Sequence, residues 1–88
     1  MAHCELWLEM KSYEKTFRVA LLVPENEEVP EGFEEFKGYS KAPEKRFFAS
    51  EWFPGIKQAK DKMDATAQFY NEKGTKFLFF REIRRPIC

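Results

Sequence analysis

The sequence predicts an α+β fold: one small domain in which a single helix packs on one face of an antiparallel sheet of three or four strands. Apolar and polar residues alternate with a period of two near the amino terminus, as they do in strands. Apolar residues recur every three or four positions across residues 54–73, as they do on one face of a helix. The 88 residues suffice for one core and are too few for two, so residues 1–88 are predicted to form a single domain.

The first two strands are predicted to form a hairpin. Residues 4–10 place Leu6, Leu8 and Met10 on one face, and residues 16–23 resume the same alternation after a polar stretch. Pro24 has no backbone N–H and therefore ends the second strand.

Residues 24–45 are predicted to form a long loop that changes from acidic to basic. The segment contains three prolines and two glycines among many charges. A structureless connection of about 20 residues is uncommon in a compact domain and is usually functional or disordered. Phe33, Phe36 and Tyr39 favour partial order, because burying an aromatic ring is favourable.

The second half is predicted to add a short strand at residues 46–49, a helix over residues 54–73 and a final strand over residues 75–83. Ser50 is the expected helix cap, and Gly74 follows the last turn, where a left-handed residue usually ends a helix. The final strand is apolar on both faces, which predicts a place inside the sheet. The helix face towards the sheet is expected to contain Ile56, Ala59, Met63, Ala67, Phe69 and Tyr70.

The net charge of zero hides a division along the chain. Residues 1–36 carry a net charge of −6, and residues 37–88 carry +6. A surface field of one sign raises the local concentration of oppositely charged molecules, but it does not indicate a reaction. The charge pattern therefore favours a binding function.

The residues that catalysis usually needs are nearly absent. His3 is the only histidine and stands at the amino terminus, where chain ends are often poorly ordered. Cys4 and Cys88 lack the spacing of a zinc site or a disulfide scaffold, so two free thiols are expected. We therefore predict no enzymatic activity, no metal and no cofactor. An enzyme that uses only the carboxylates of residues 24–36 is the least favoured alternative.

The favoured hypothesis is a protein-binding regulator or inhibitor that occludes a surface of its partner, as phage and plasmid accessory proteins do. The acidic segment 24–36 would imitate phosphate charge, and an apolar sheet face around Trp7 would supply contact area or a homodimer seam. The expected partner-binding residues are Trp7, Glu25, Glu27, Glu28, Glu31, Phe33, Glu34, Glu35 and Phe36.

A nucleic-acid-binding protein is the alternative from a different class, because the final strand interleaves aromatic and basic residues. The longest uncharged apolar run, residues 19–23, is far shorter than the roughly 20 residues of a membrane span, so we expect no membrane association and a cytoplasmic location. The expected phosphate contacts are Lys57, Lys60, Lys76, Arg81, Arg84 and Arg85.

Overall fold

The protein forms one mixed sheet with one long helix on it. A computed structural model describes residues 4–36, 45–75 and, for the backbone alone, 77–84. The sheet order is β3-β4-β2-β1-β5. In chain order the elements are β1 (Cys4–Lys11), β2 (Thr16–Pro24), β3 (Phe33–Glu35), β4 (Lys45–Ser50), α1 (Ile56–Lys73) and β5 (Phe77–Arg84).

The predicted fold class is confirmed. Strands β1, β2, β4 and β3 form an antiparallel open sheet, and α1 packs on β1 and β2. Strand β3 lies within the segment that the sequence indicated as a long loop, and its three residues are too few to show a period of two.

The last strand, β5, lies at the edge of the sheet and pairs parallel with β1. The prediction that it lies inside the sheet was therefore wrong. An apolar run shows that both faces of a strand are suited to burial, but it does not reveal whether a second neighbour is present. The helix carries the chain from β4 past β2 and β1, so β5 reaches the far edge in the parallel direction.

The main core lies between the sheet and α1. The alternating residues of β1 and β2 on that side are buried, as the period of two predicts. Ala59, Met63 and Tyr70 of the predicted helix face are buried. Thr66 is buried with them, and its hydroxyl donates to the carbonyl of Lys62 at 2.8 Å. The core residues are Cys4, Leu6, Leu8, Val19, Leu21, Val23, Phe48, Ala59, Met63 and Tyr70.

The helix begins later than the cap prediction placed it. Gly55 is the N-cap residue, and its N–H donates to the side-chain oxygen of Gln58 at 3.3 Å. Gly74 ends the helix with a positive φ of 76°, as expected, and its N–H bonds to the last turn. The Ser50 cap prediction was therefore wrong.

Ser50 instead stabilises a bulge between β2 and the chain that follows β4. Ala20 is paired with Ala49 and Phe17 with Phe53, so two residues of β2 lie opposite the three residues 50–52. The N–H of Val19 loses its backbone partner there and donates to the Ser50 hydroxyl at 2.9 Å. That hydroxyl in turn donates to the carbonyl of Glu51 at 3.0 Å.

Replacing Ser50 by alanine tests this role. Ser50→Ala leaves the buried N–H of Val19 without an acceptor, so we expect a loss of about 1–3 kcal/mol in the free energy of unfolding. Ser12→Ala in the exposed hairpin turn is the matched control and should change it by less than about 0.5 kcal/mol. Urea denaturation measures both, and equal effects would contradict the assigned role.

Candidate functional site

The acidic segment, residues 24–36, is attached to the helix through its backbone. The hydroxyl of Tyr70 donates to the carbonyl of Glu28 at 2.8 Å, and the ammonium of Lys62 donates to the carbonyl of Glu31 at 2.7 Å. Burial raises the pKa of Tyr70 above its ordinary value, and nearby acidic groups raise it further, so the hydroxyl remains a donor at neutral pH. Two helix side chains therefore fix the course of this segment.

Gly32 permits the close approach of Lys62. Its φ of +89° lies in the left-handed region, and a Cβ at this position would stand 2.7 Å from the Lys62 ammonium. The same ammonium lies 5.0 Å from the centre of the Phe33 ring. Phe33 itself packs against the main core on the helix side.

The carboxylates of the acidic segment divide into paired and unpaired groups. Glu27 binds Lys73 at 2.6 Å, and this hydrogen bond raises the pKa of Lys73. Glu28 lies 3.7 Å from the same ammonium and is 77% exposed. Glu25, Glu31 and Glu34 are exposed, and within the described part of the chain their carboxylates form no ion pair.

The charge division along the sequence is partly neutralised by folding. Glu5 pairs with Lys45 at 3.6 Å, and Glu35 pairs with Arg46 through two hydrogen bonds of 3.0 and 3.1 Å. With Glu27–Lys73, these pairs join the acidic half of the chain to the basic half. The exposed carboxylates of Glu25, Glu31 and Glu34 keep the acidic segment negatively charged.

The sheet face opposite the helix contains a buried ion pair. Glu9 and Arg18 are cross-strand partners in the β1–β2 hairpin, and their side chains are 3% and 5% exposed. The Arg18 Nε donates to Glu9 at 2.8 Å, and the indole N–H of Trp7 donates to the other carboxylate oxygen at 3.2 Å. A buried charge requires such partners, because removal from water is costly.

Aromatic rings surround this ion pair. The Arg18 guanidinium lies 4.4 Å from the Trp52 ring centre and 4.7 Å from that of Phe36. Phe47 contacts Phe36 at 6.1 Å and Trp7 at 5.7 Å between ring centroids. With Glu9 these contacts form a closed circuit, which we call the aromatic–ion ring: Trp7, Phe47, Phe36, Arg18 and Glu9.

An open pocket of about 560 Å³ lies beside the aromatic–ion ring. Ala49 contributes little volume to its wall, and the bulge at residues 50–52 supplies Trp52. The pocket contains groups of three kinds: a buried cation, aromatic rings and two exposed carboxylates. Its lining residues are Arg18, Gly32, Phe33, Glu34, Phe36, Ala49, Ser50, Glu51 and Trp52.

The predicted partner-binding residues occupy two regions. Trp7 and Phe36 belong to the aromatic–ion ring, and Phe33, Glu34 and Phe36 line the pocket. Glu27 and Glu35 face cations of α1 and β4. Only part of the predicted set therefore shares one surface.

The sequence prediction missed Glu9, Arg18, Phe47 and Trp52. The signal for the first two was present, because an antiparallel hairpin with a turn at residues 12–15 pairs Glu9 with Arg18, and opposite charges at such a pair attract. No comparable signal indicated Trp52, whose position depends on the bulge.

The predicted phosphate contacts are only partly described. Lys57 and Lys60 are exposed on α1, and the described residues include no ion pair that joins them to Asp61 or Asp64. Lys76 and Arg85 lie outside the described residues, as do the side chains of Arg81 and Arg84.

The described residues include one free cysteine, Cys4, which is buried. Burial raises the pKa of the Cys4 thiol from 9.0 to about 11, and the nearby Glu27 adds to this effect. No group of three or more His, Cys, Asp or Glu side chains in residues 4–36 and 45–75 is arranged to hold a metal ion.

No described helix is long and apolar enough to cross a membrane. His3 and Cys88 lie outside the described part of the chain.

Removing the charge of Glu9 tests the buried ion pair. Glu9→Gln leaves Arg18 without its counterion, and we expect it to lower the free energy of unfolding by about 3–5 kcal/mol. The control Glu14→Gln breaks the exposed Lys11–Glu14 pair and should cost about 0–1 kcal/mol.

The double replacement Glu9→Leu/Arg18→Met should be less destabilising than Glu9→Gln, because it removes both charges together. Urea denaturation of the three variants measures these differences. Equal losses for Glu9→Gln and Glu14→Gln would show that the Glu9–Arg18 pair is not isolated from solvent.

Alkylation measures the protection of Cys4. In a Cys88→Ser variant at pH 8, iodoacetamide should modify the folded protein at least about 100-fold more slowly than the urea-unfolded chain. The rise of the pKa from 9.0 to about 11 alone lowers the thiolate fraction by this factor. Similar rates in the two states would refute the buried, protonated thiol.

Comparisons with known proteins assign no family to this chain. No family model matches it, and neither a curated protein nor a solved structure shows significant similarity to it. The function is therefore argued from the acidic segment, the aromatic–ion ring and the pocket.

Proposed function

We propose that the protein is a non-enzymatic, protein-binding regulator that occludes a basic surface of its partner. The observation that carries this proposal is the attachment of the acidic segment to α1. Tyr70 and Lys62 bind backbone carbonyls of this segment, while the side chains of Glu25, Glu28, Glu31 and Glu34 are exposed. The backbone that carries these carboxylates is therefore held in place before a partner arrives.

Such prearrangement favours binding. A segment that is already ordered loses less conformational entropy in a complex. A patch of one charge also speeds association with an oppositely charged patch and disfavours partners of like charge. These effects match the requirements of an inhibitor that must reach its target quickly and cover it.

The pocket beside Arg18 extends the same surface. Gly32, Phe33 and Glu34 belong both to the acidic region and to the pocket lining, so the two features are continuous. Tryptophan and arginine are enriched among the residues that dominate the affinity of protein interfaces, and the pocket contains Trp52 and Arg18. The proposed interface thus combines a charged area for attraction with a recess for specific contact.

Charge reversal tests the proposal. The variant Glu28→Lys/Glu31→Lys/Glu34→Lys should lose at least about tenfold in capture of the partner, which corresponds to about 1.4 kcal/mol of binding free energy. Capture is measured by quantitative mass spectrometry after incubation of immobilised protein with a nuclease-treated lysate of the source cells or their host.

The matched control is Glu14→Lys/Asp64→Lys/Glu72→Lys, which changes the net charge equally at exposed sites elsewhere. It should capture the partner as the wild type does. A partner that binds both triple variants equally would contradict a role for the acidic segment. Absence of any specific partner of the wild type would refute the proposed function.

The nucleic-acid alternative is supported by Lys57 and Lys60, which are exposed in the first turns of α1. Backbone N–H groups at a helix amino terminus add to the attraction for phosphate. Oligonucleotide binding that weakens with salt and on Lys57→Ala/Lys60→Ala would favour this alternative.

A further inference from the structure

The Arg18 guanidinium has hydrogen-bond donors that the described residues do not use. Its side chain is 5% exposed, and its Nε donates to Glu9, but no described residue accepts from its Nη1 or Nη2. Among the described residues, the Thr16 hydroxyl oxygen is the only side-chain polar atom that is fully buried and has no hydrogen-bond partner. Both Nη groups therefore keep contact with solvent, and Arg18 lines the pocket. Donors that have no protein acceptor and belong to a pocket-lining residue are available to a ligand that brings an acceptor.

The charges around the pocket disfavour an anionic ligand. Arg18 already has a counterion, because Glu9 lies 2.8 Å away. Glu34 and Glu51 also line the pocket, and both are exposed carboxylates without an ion pair in the described residues. Two further cations lie beside lining residues: the Lys62 ammonium is 5.0 Å from the Phe33 ring centre, and the Lys11 ammonium, which pairs with Glu14, is 4.7 Å from that of Trp52. Among the described residues the two carboxylates still outnumber Lys62, the one cation here without an ion pair, so a carboxylate or phosphate would add to a net negative charge. A cationic ligand such as an ammonium carries only hydrogen-bond donors, so it cannot accept from the Nη groups of Arg18.

A carboxamide can bind both the hydrogen-bond donors and the hydrogen-bond acceptors of the pocket. Its oxygen accepts hydrogen bonds from Arg18, and its NH₂ group donates, which suits the carboxylates of Glu34 and Glu51. Trp52 also belongs to the pocket lining. The volume of about 560 Å³ exceeds one such group and leaves room for the chain that carries it.

We propose that this pocket binds a carboxamide, presented as the side chain of an Asn or Gln residue of the partner protein. The source of the amide rests on the proposed function, whereas the chemistry of the pocket does not. The interface would then use the acidic segment for attraction and the pocket for selection of one side chain.

Titration with three small probes of similar shape tests the pocket chemistry. Propionamide, propionate and propylammonium are added separately to the ¹⁵N-labelled protein, and the indole N–H signal of Trp52 is followed by NMR. A Trp52→Phe variant assigns this signal. Propionamide should shift it in a saturable manner and bind at least about tenfold more tightly than the two charged probes. Backbone amides of α1, on the other sheet face, should not shift.

Two variants connect the result to the pocket. Glu34→Gln/Glu51→Gln changes exposed groups and should reduce the preference for propionamide over propionate, because it removes negative charge. Ala49→Leu fills the pocket and should abolish the shift, provided that its urea denaturation shows a folded protein. If Ala49→Leu does not fold, Glu34→Gln/Glu51→Gln still tests the proposal.

Several outcomes overturn the proposal. Propionate that binds as tightly as propionamide would identify an anion site, and no shift with any probe would exclude a ligand pocket. Inosine is added in a separate titration, and a shift with inosine but none with propionamide would assign the pocket to a nucleobase.

A competition experiment separates the two sources of the amide. Saturating propionamide should reduce capture of the protein partner at least about tenfold if the partner supplies the amide. Unchanged capture would overturn that source, assign the pocket to a free small-molecule amide and leave the proposed function intact. If no partner exists, the proposed function fails, but the titration still decides the chemistry of the pocket.

Discussion

The ion pair between Glu9 and Arg18 is the interaction on which the sheet face opposite the helix depends. One helix can cover only one face of a sheet, so the other face needs its own organisation. Arg18 provides it by contacting Glu9 with its Nε and the rings of Trp52 and Phe36 with its guanidinium. A buried ion pair contributes little net stability once desolvation is included. We therefore interpret its role as orientation: it holds aromatic side chains in defined positions beside the pocket.

The helix organises the other surface through its polar residues. Its apolar residues cover the sheet, while Lys62 and the hydroxyl of the buried Tyr70 reach the acidic segment. The same helix therefore determines both the core and the course of the segment that carries the exposed carboxylates. This arrangement explains how a segment with many charges and prolines becomes ordered. Its backbone carbonyls receive donors from α1. The Glu27–Lys73 ion pair and the packing of Phe33 on the core add side-chain contacts.

The sequence predicted the parts of the fold that depend on local periodicity. The β1–β2 hairpin and α1 show clear periods of two and of three to four, and Gly74 ends the helix where expected. Strand β3 and the edge position of β5 depend on which distant strand lies alongside, and a single sequence does not encode this in local spacing. The site was predicted only in part. Glu9 and Arg18 follow from the hairpin register, but Trp52 reaches Arg18 through a one-residue bulge, which composition does not indicate.

The parallel pairing of β1 with β5 has a consequence for the order of folding. Cys4 is aligned with Phe77, so this contact joins positions about seventy residues apart, whereas the β1–β2 hairpin closes within a short turn. Contacts between distant positions form slowly, because the entropy of loop closure must be overcome first. Strand β1 therefore has an open edge of unpaired N–H and C=O groups for as long as β5 is not docked. Open edges pair readily with other chains, so the docking of β5 also protects the partly folded sheet from aggregation.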